Sequence, residues 1–323
     1  MMKKIFWLNS AYFSKLSRMC KKLSFDTGLP YISLLCDYIS SYILHGCSIN
    51  QYSSGKFYLY RGGVRRRIVT FKRSIKIWEL FNEKRSIHYF ENKTDFNKTF
   101  ADYVVRDWIP SCESVENVRA FVERHESFIL KPIDSLQGQG VRLVTSENLD
   151  VPSFLNEVGK NMLLEEVIKQ HPEMGFGNKS VNTIRVFTIL DKNGDVRVLK
   201  AVCRAGKGDC VIDNFCAGGC LYPIDIETGI IEEKGVDMYG NKYLYHPGTD
   251  ICMLGYKIPN WEKVIETVTE AAKVVPQCRY IGWDVAILND DVELIEGNHN
   301  PDHDLLEFVG SERMFYKKIM QYK

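Results

Sequence analysis

The stretch "GWDVAILNDDVELIEGNHNP", Gly282 to Pro301, decides how this chain is read. Apolar runs at Ile281–Leu288 and Glu293–Glu296 flank Asn289-Asp290-Asp291, which is the pattern of a β-hairpin. The hairpin sets Asp284 in one strand alongside Glu296 and Asn298, in and just after the other. Residues 296 and 298 are two apart and share a face at strand periodicity. Trp283 and Val285 flank Asp284, and Ile295 precedes Glu296, so the expected surroundings are apolar. A carboxylate buried there needs a compensating cation. Two carboxylates and an amide oxygen are hard ligands suited to Mg2+ with nucleotide phosphates. The competing reading is a pair of surface acids. His299 and His303 adjoin the motif, but imidazole is not the usual Mg2+ ligand, and neither receives a role.

Working outward, "FILKPIDSLQGQGVRLV" runs from Phe128 to Val144. Strands at Phe128–Lys131 and Gly140–Val144 enclose a turn with glycines at 138 and 140. Such a turn offers backbone N–H groups to phosphate oxygens, and Lys131 adds a point charge for the same anion. It is not a Walker A loop, because a strand follows it instead of a helix. An ordinary glycine hairpin is the alternative. "LLEEVIKQHPE", Leu163 to Glu173, takes an apolar run into two acids and out of a strand. Thr183–Leu190 and Arg197–Arg204 alternate around an Asn-Gly turn and form the clearest hairpin of the chain. Arg185 and Arg204 lie in it, and both suit bidentate contact with phosphate or carboxylate.

Together these motifs resemble the ATP-grasp superfamily, in its branch associated with sugar transfer and capsule or exopolysaccharide gene clusters. "NTIRVFTIL", "DNFCAGGCLYPIDIETG", "HPGTD" and "GWDVAI…IEGN" are similar to that branch's pattern over about residues 90–310. The resemblance implies an α+β chain: an ATP-grasp fold with a small α+β lid and a larger antiparallel core, after a helix-rich N-terminal region. The boundaries read as 1–90, 91–168 and 169–323. It implies ATP and one or two Mg2+ ions. Lys131 and the earlier lysine, Lys93 with Lys98 as competitor, would meet phosphates. Ser135, Gln137, Gly138 and Gly140 would form the phosphate loop. Glu165, Glu166 and Val167 would form the adenine hinge, with Glu173 on the ribose. Asp284, Glu296 and Asn298 would bind the metal. Arg204 would steady the transferred phosphoryl group, with Arg185 beside it. Asn214, Gly218, Gly219 and His246 would face substrate.

The implied activity is ligation of a carboxylate to an amine through an acyl phosphate, on a surface polysaccharide or glycoconjugate precursor. The partners are then a free or carrier-linked carboxylate and an amine. Transfer of phosphate to a hydroxyl acceptor stays open, as does a non-catalytic nucleotide-binding role, since a fold does not fix a reaction.

The rest of the sequence sets bounds. The chain has 323 residues, 45% hydrophobic and 26% charged, with net charge +1, so bulk electrostatics do not point to nucleic acid. Ten cysteines contain no CxxC, which suits reduced thiols in a cytoplasmic protein. The apolar run Ile5–Leu8 is too short for a secretory signal. Nothing approaches the ~20 apolar residues of a membrane span, and Tyr31–Leu44 reads as a buried helix. Further helices are expected over Asn92–Trp108, stopped by Pro110, and over Val115–His125, Asp150–Lys160 and Trp261–Val275. In the basic N-terminal region, Lys15, Arg18, Lys21, Lys22, Arg61 and Arg65-Arg66-Arg67 leave two readings. One is a solvated helix face with a basic turn, and the other is a patch for anionic lipid or a phosphate-bearing carrier.

Overall fold

A computed structural model describes residues 10–134, 139–177, 181–206, 219–237, 240–302 and 314–323. The chain forms two compact units. One comprises Met1–Ile77 with Asp302–Gln321, the other Trp78–Pro301 with Tyr322–Lys323. The boundaries expected from the sequence fall at residues 90 and 168.

The first unit is helical, with α1 (Ser10–Thr27), α2 (Tyr31–His45), α3 (Ile49–Ser53) and the start of α4 (Phe71–Phe81). Leu16, Cys20, Leu23, Leu34, Tyr38, Tyr52 and Phe57 make its core. Ser48 and Gln51 form a reciprocal capping box that starts α3. Gly46 ends α2 at φ +67°, and a Cβ there would meet the Lys72 Cβ at 2.1 Å. Only glycine satisfies both conditions. Two expectations change here. Helix α2 buries only the stripe of Leu34, Tyr38 and Ser41, while Ile32, Ile43 and Leu44 are 65, 62 and 72% exposed. The basic triplet is not a uniform patch. Arg65 is buried, pairs with Asp37 at 2.7 Å, bonds Ser41 at 3.0 Å and lies over the Phe57 ring. Burial favours the neutral acid, but Arg65 and Tyr52 hold the Asp37 carboxyl below its usual range. Arg66 and Arg67 are exposed.

The second unit holds α5 (His88–Glu91), α6 (Lys93–Thr99), β1 (Trp108–Pro110), α7 (Val115–Arg124), β2 (Ser127–Pro132), β3 (Arg142–Thr145), α8 (Val151–Val158) and β4 (Met162–Glu166). After these come β5 (Thr183–Leu190), β6 (Val196–Ala205), β7 (Cys220–Ile224), β8 (Gly235–Val236), β9 (Lys242–Tyr243), α9 (Trp261–Val274), β10 (Tyr280–Ile287) and β11 (Val292–Asn298). The helix expected over Asn92–Trp108 ends at Thr99. Trp108–Pro110 instead pairs with β4 as an edge strand, where proline's missing N–H costs nothing. The other expected helices form, with Ser114 and Asp150 as side-chain N-caps of α7 and α8.

A four-stranded sheet has the order β1-β4-β2-β3, and a seven-stranded sheet the order β11-β10-β5-β6-β7-β8-β9. The paired strands are antiparallel. Alternation decides what each face does. In the small sheet Phe128, Leu130 and Leu164 pack on α7 and α8, leaving Lys131 and Glu165 on the other face. In the large sheet Ile184, Val186, Ala201, Cys203, Trp283 and Val285 join Val264 and Val268 of α9 in the core. Arg185, Arg204, Asp284 and Glu296 are left on the opposite face.

Candidate active site

Pairing register brings together residues that lie about 100 positions apart. Asp284 sits opposite Arg185 on one side and Glu296 on the other. Both its oxygens are engaged: Arg185 donates to Oδ1 through Nε and to Oδ2 through Nη2 at 2.7 Å, and Arg204 Nη1 donates to Oδ2 at 2.7 Å. Burial alone would raise the Asp284 pKa, but the two guanidinium groups hold it far below the carboxylate range. Asp284 is buried, as its apolar flanks predict, and the cations beside it are Arg185 and Arg204.

Glu296 is only half-buried and lies 4.0 Å from Arg185 Nη2. Desolvation first, and then the neighbouring Asp284 carboxylate, push its pKa up. Asn298 Nδ2 donates to Glu296 Oε1 at 3.1 Å, leaving the amide oxygen for another partner. Asp284, Glu296 and Asn298 thus offer hard oxygen donors, and a divalent cation would relieve the Glu296 charge that its surroundings disfavour. These residues fit Mg2+.

The small sheet supplies the lysines. Lys131 is buried, and its Nζ lies 2.5 Å from Glu165 Oε2. Burial lowers the Lys131 pKa, and the Glu165 charge partly offsets this. Lys93, the first residue of α6, donates to the Pro132 carbonyl at 2.9 Å and the Ile133 carbonyl at 3.2 Å. Its pKa is lowered by burial and then by the Lys131 charge, so the two ammonium groups are neighbours. Both also feel the Glu296 carboxylate. Lys98 points to the exposed side of α6, so Lys93 is the lysine that reaches the site.

The side chain of Glu165 turns into the protein. Its carboxylate is shared by Lys131, by Arg106 Nη2 at 3.1 Å and by Asn97 Nδ2 at 3.1 Å. Burial would raise its pKa, but Arg106 and Lys131 bring it down to about 2. Only its backbone remains for an adenine hinge. Glu166 accepts the Asp107 N–H at 3.2 Å, and half-buried Val167 follows the strand. Glu173 exposes its carboxylate on a short turn, and its carbonyl accepts from Tyr256 Oη at 2.6 Å. Gly140 takes φ +77°, and a Cβ there would come within 2.9 Å of Pro132 Cγ. Buried His246 stacks on Phe176 with ring centroids 5.2 Å apart. Burial lowers its pKa, so the neutral imidazole is favoured. Gly219 is buried just before β7. Ser135, Gln137, Gly138, Asn214, Gly218 and His303 lie outside the described residues.

Three polar residues of this neighbourhood escaped the sequence reading: Asn97, Arg106 and Glu293. Glu293 carried a usable signal, since it stands between Val292 and Leu294 as Asp284 stands between Trp283 and Val285. Arg106 in "YVVRDWIP" carried none.

Among solved structures, the ATP-grasp ligase PsnB complexed with minimal precursor, Mg and ADP aligns at TM-score 0.47 and 15% identity, over 75% of this chain and 61% of that one. PsnB with minimal precursor alone aligns at 0.49 and 16%, over 75% and 64%. N5-carboxyaminoimidazole synthetase from Staphylococcus aureus complexed with ADP aligns at 0.45 and 12%, over 67% and 46%. The matched region therefore spans less than two thirds of each of these proteins. No curated protein sequence matches the chain significantly. The family model described as sugar-transfer associated ATP-grasp matches residues 72–321, most of the chain, and the protein belongs to that family.

Proposed function

We propose that this chain is an ATP- and Mg2+-dependent ligase that joins a carboxylate to an amine through an acyl phosphate. One observation carries the reading. Lys131 pairs with Glu165, and Arg106 ties that carboxylate to the Leu294 and Ile295 carbonyls just before Glu296, so the lysines on the small sheet's side and the Asp284, Glu296, Arg185 and Arg204 group of the large sheet form one cluster. That pairing of clustered cations with a hard-oxygen acidic set suits a nucleoside triphosphate. When bound at Asp284, Glu296 and Asn298, Mg2+ would neutralise phosphate charge. Lys93 and Lys131 would hold the phosphates in line for attack by a substrate carboxylate oxygen, with ADP leaving. An amine then attacks the acyl carbon and phosphate leaves. Arg204 would stabilise the oxyanion of that step.

The family's sugar-transfer association supports a surface polysaccharide or glycoconjugate precursor as one substrate, with an amino acid or related amine as the other. The test is Mg2+-dependent ADP release, screened over uronic acids, nucleotide-sugar acids and amino acids with and without amines. Release that needs both partners, with a trappable hydroxamate, supports the ligase. Release with a hydroxyl compound alone makes the protein a phosphotransferase and overturns the ligase reading.

A further inference from the structure

Arg106 lies just before β1, between the two sheets of the second unit, and its guanidinium is buried. Its Nη2 donates to Glu165 Oε1 at 3.1 Å and to the Ile295 carbonyl at 3.3 Å. Its Nη1 donates to Glu293 Oε2 at 3.0 Å and to the Leu294 carbonyl at 2.8 Å. Glu293 is itself fixed, because Oε2 also accepts the backbone N–H groups of Val105 and Arg106, each at 3.2 Å. One guanidinium therefore joins β4 of the small sheet to β11 of the large one. Beyond Glu165 the chain of charges ends on Lys131.

We infer that Arg106 is a positioning residue for the nucleotide phosphates: through Glu165 it sets the place and the charge of the Lys131 ammonium. This rests on the reading that Lys131 meets phosphate. The physical reason is a shared anion. Glu165 divides its charge between Arg106 and Lys131, so Lys131 keeps positive field and N–H donors for a ligand. Without Arg106, Glu165 would neutralise Lys131 alone and draw it away from the phosphates. Lysine at 106 could not serve both carboxylates. A planar guanidinium presents two ends at once, whereas an ammonium is a single point of charge.

The test is binding of Mg-ATP and of adenosine to the full chain, measured by calorimetry or by competition with a fluorescent nucleotide. Arg106→Lys is expected to weaken Mg-ATP about 10-fold, the scale seen when an outer partner of a binding group is lost. Adenosine, which lacks phosphates, should bind as before. Adding Lys131→Met to Arg106→Lys should cost less than the product of the two single effects, because both act on one ammonium. Equal losses for ATP and adenosine, or strictly multiplicative losses in the double variant, overturn the inference in favour of a purely structural arginine. If Arg106→Lys does not fold, Arg106→Gln, which keeps a donor and loses the charge, is read the same way. A wild-type chain that binds neither compound overturns the nucleotide reading itself, and this inference with it.

Discussion

Glu296 and Asp284 are neighbours with opposite electrostatic fates. Asp284 is held ionised by two arginines, whereas Glu296 carries a charge that its surroundings disfavour. Glu296→Gln should therefore leave the melting temperature of the metal-free protein unchanged or higher. The same substitution should abolish any Mg2+-induced rise in melting temperature and Mg-ATP turnover. A thermal scan with and without Mg2+ reads both effects, and an intact Mg2+ response would remove Glu296 from the metal set. Arg65 tests a different point. It is the buried member of three consecutive arginines, and its loss removes the bidentate partner of the Asp37 carboxylate, leaving Tyr52 Oη at 2.8 Å and Arg61 at 3.8 Å. Arg65→Ala should cost about 3 kcal/mol, as expected for breaking a buried pair. Arg66→Ala should stay within about 0.5 kcal/mol, as expected at an exposed position. Chemical denaturation of the two variants gives the comparison. Nothing in the letters Arg-Arg-Arg separates the first from the second; Asp37 and Phe57, brought close by folding, do.

At the level of elements, the strands that carry the site were legible because their alternation and turn residues agree. Asn193-Gly194 marks the β5–β6 turn, with Gly194 at φ +87°. Strand β1 was missed because Trp108-Ile109-Pro110 has no period of its own and becomes a strand only through pairing with β4. Strands β8 and β9 are two residues each and give no pattern to read. Trp283 ties β10 to β5. It is fully buried, its Nε1–H donates to Thr188 Oγ1 at 2.8 Å, and its ring packs edge-on to Phe100. Trp283→Ala should destabilise the second unit by about 4 kcal/mol, and a fall in urea midpoint at constant slope would register it. The same change would loosen Asp284 next to it, so nucleotide affinity should drop in parallel.

For the whole molecule, several carboxylates are held below their ordinary range by basic partners: Asp37, Glu165 and Asp284 by arginine or lysine, and Asp107 by His125 and then Arg124. The sign follows from linkage. A carboxylate with a depressed folded pKa contributes stability above its unfolded value and loses it as pH falls through the folded one. For Glu165 the loss runs from the ordinary glutamate value of 4.5 down to about 2, and is worth about 3 kcal/mol. The protein should accordingly hold its stability from neutrality to about pH 5 and unfold steeply below about pH 4, as far-UV circular dichroism would show. A flat profile down to pH 2 would mean that these ion pairs do not stabilise the fold. The net charge of +1 hides an uneven distribution. The first 77 residues hold 14 Lys and Arg against 2 Asp and Glu, so the remainder of the chain is acidic.

The sequence by itself determined the β5–β6 and β10–β11 hairpins, the Lys131 strand and the capped helices. Each is specified by residues within about twenty positions of one another, where periodicity and turn chemistry suffice. It also identified Asp284, Glu296 and Asn298 as a set, because one hairpin brings them together. Only the tertiary structure decided what those groups touch. Arg185 and Arg204 reach Asp284 through the order of strands in the large sheet, and Arg106 reaches Glu165 and Glu293 by lying between two sheets. Partners 59 to 187 residues apart have no local pattern to announce them. A buried charge takes whichever counter-ion the fold delivers, and that choice is made by packing.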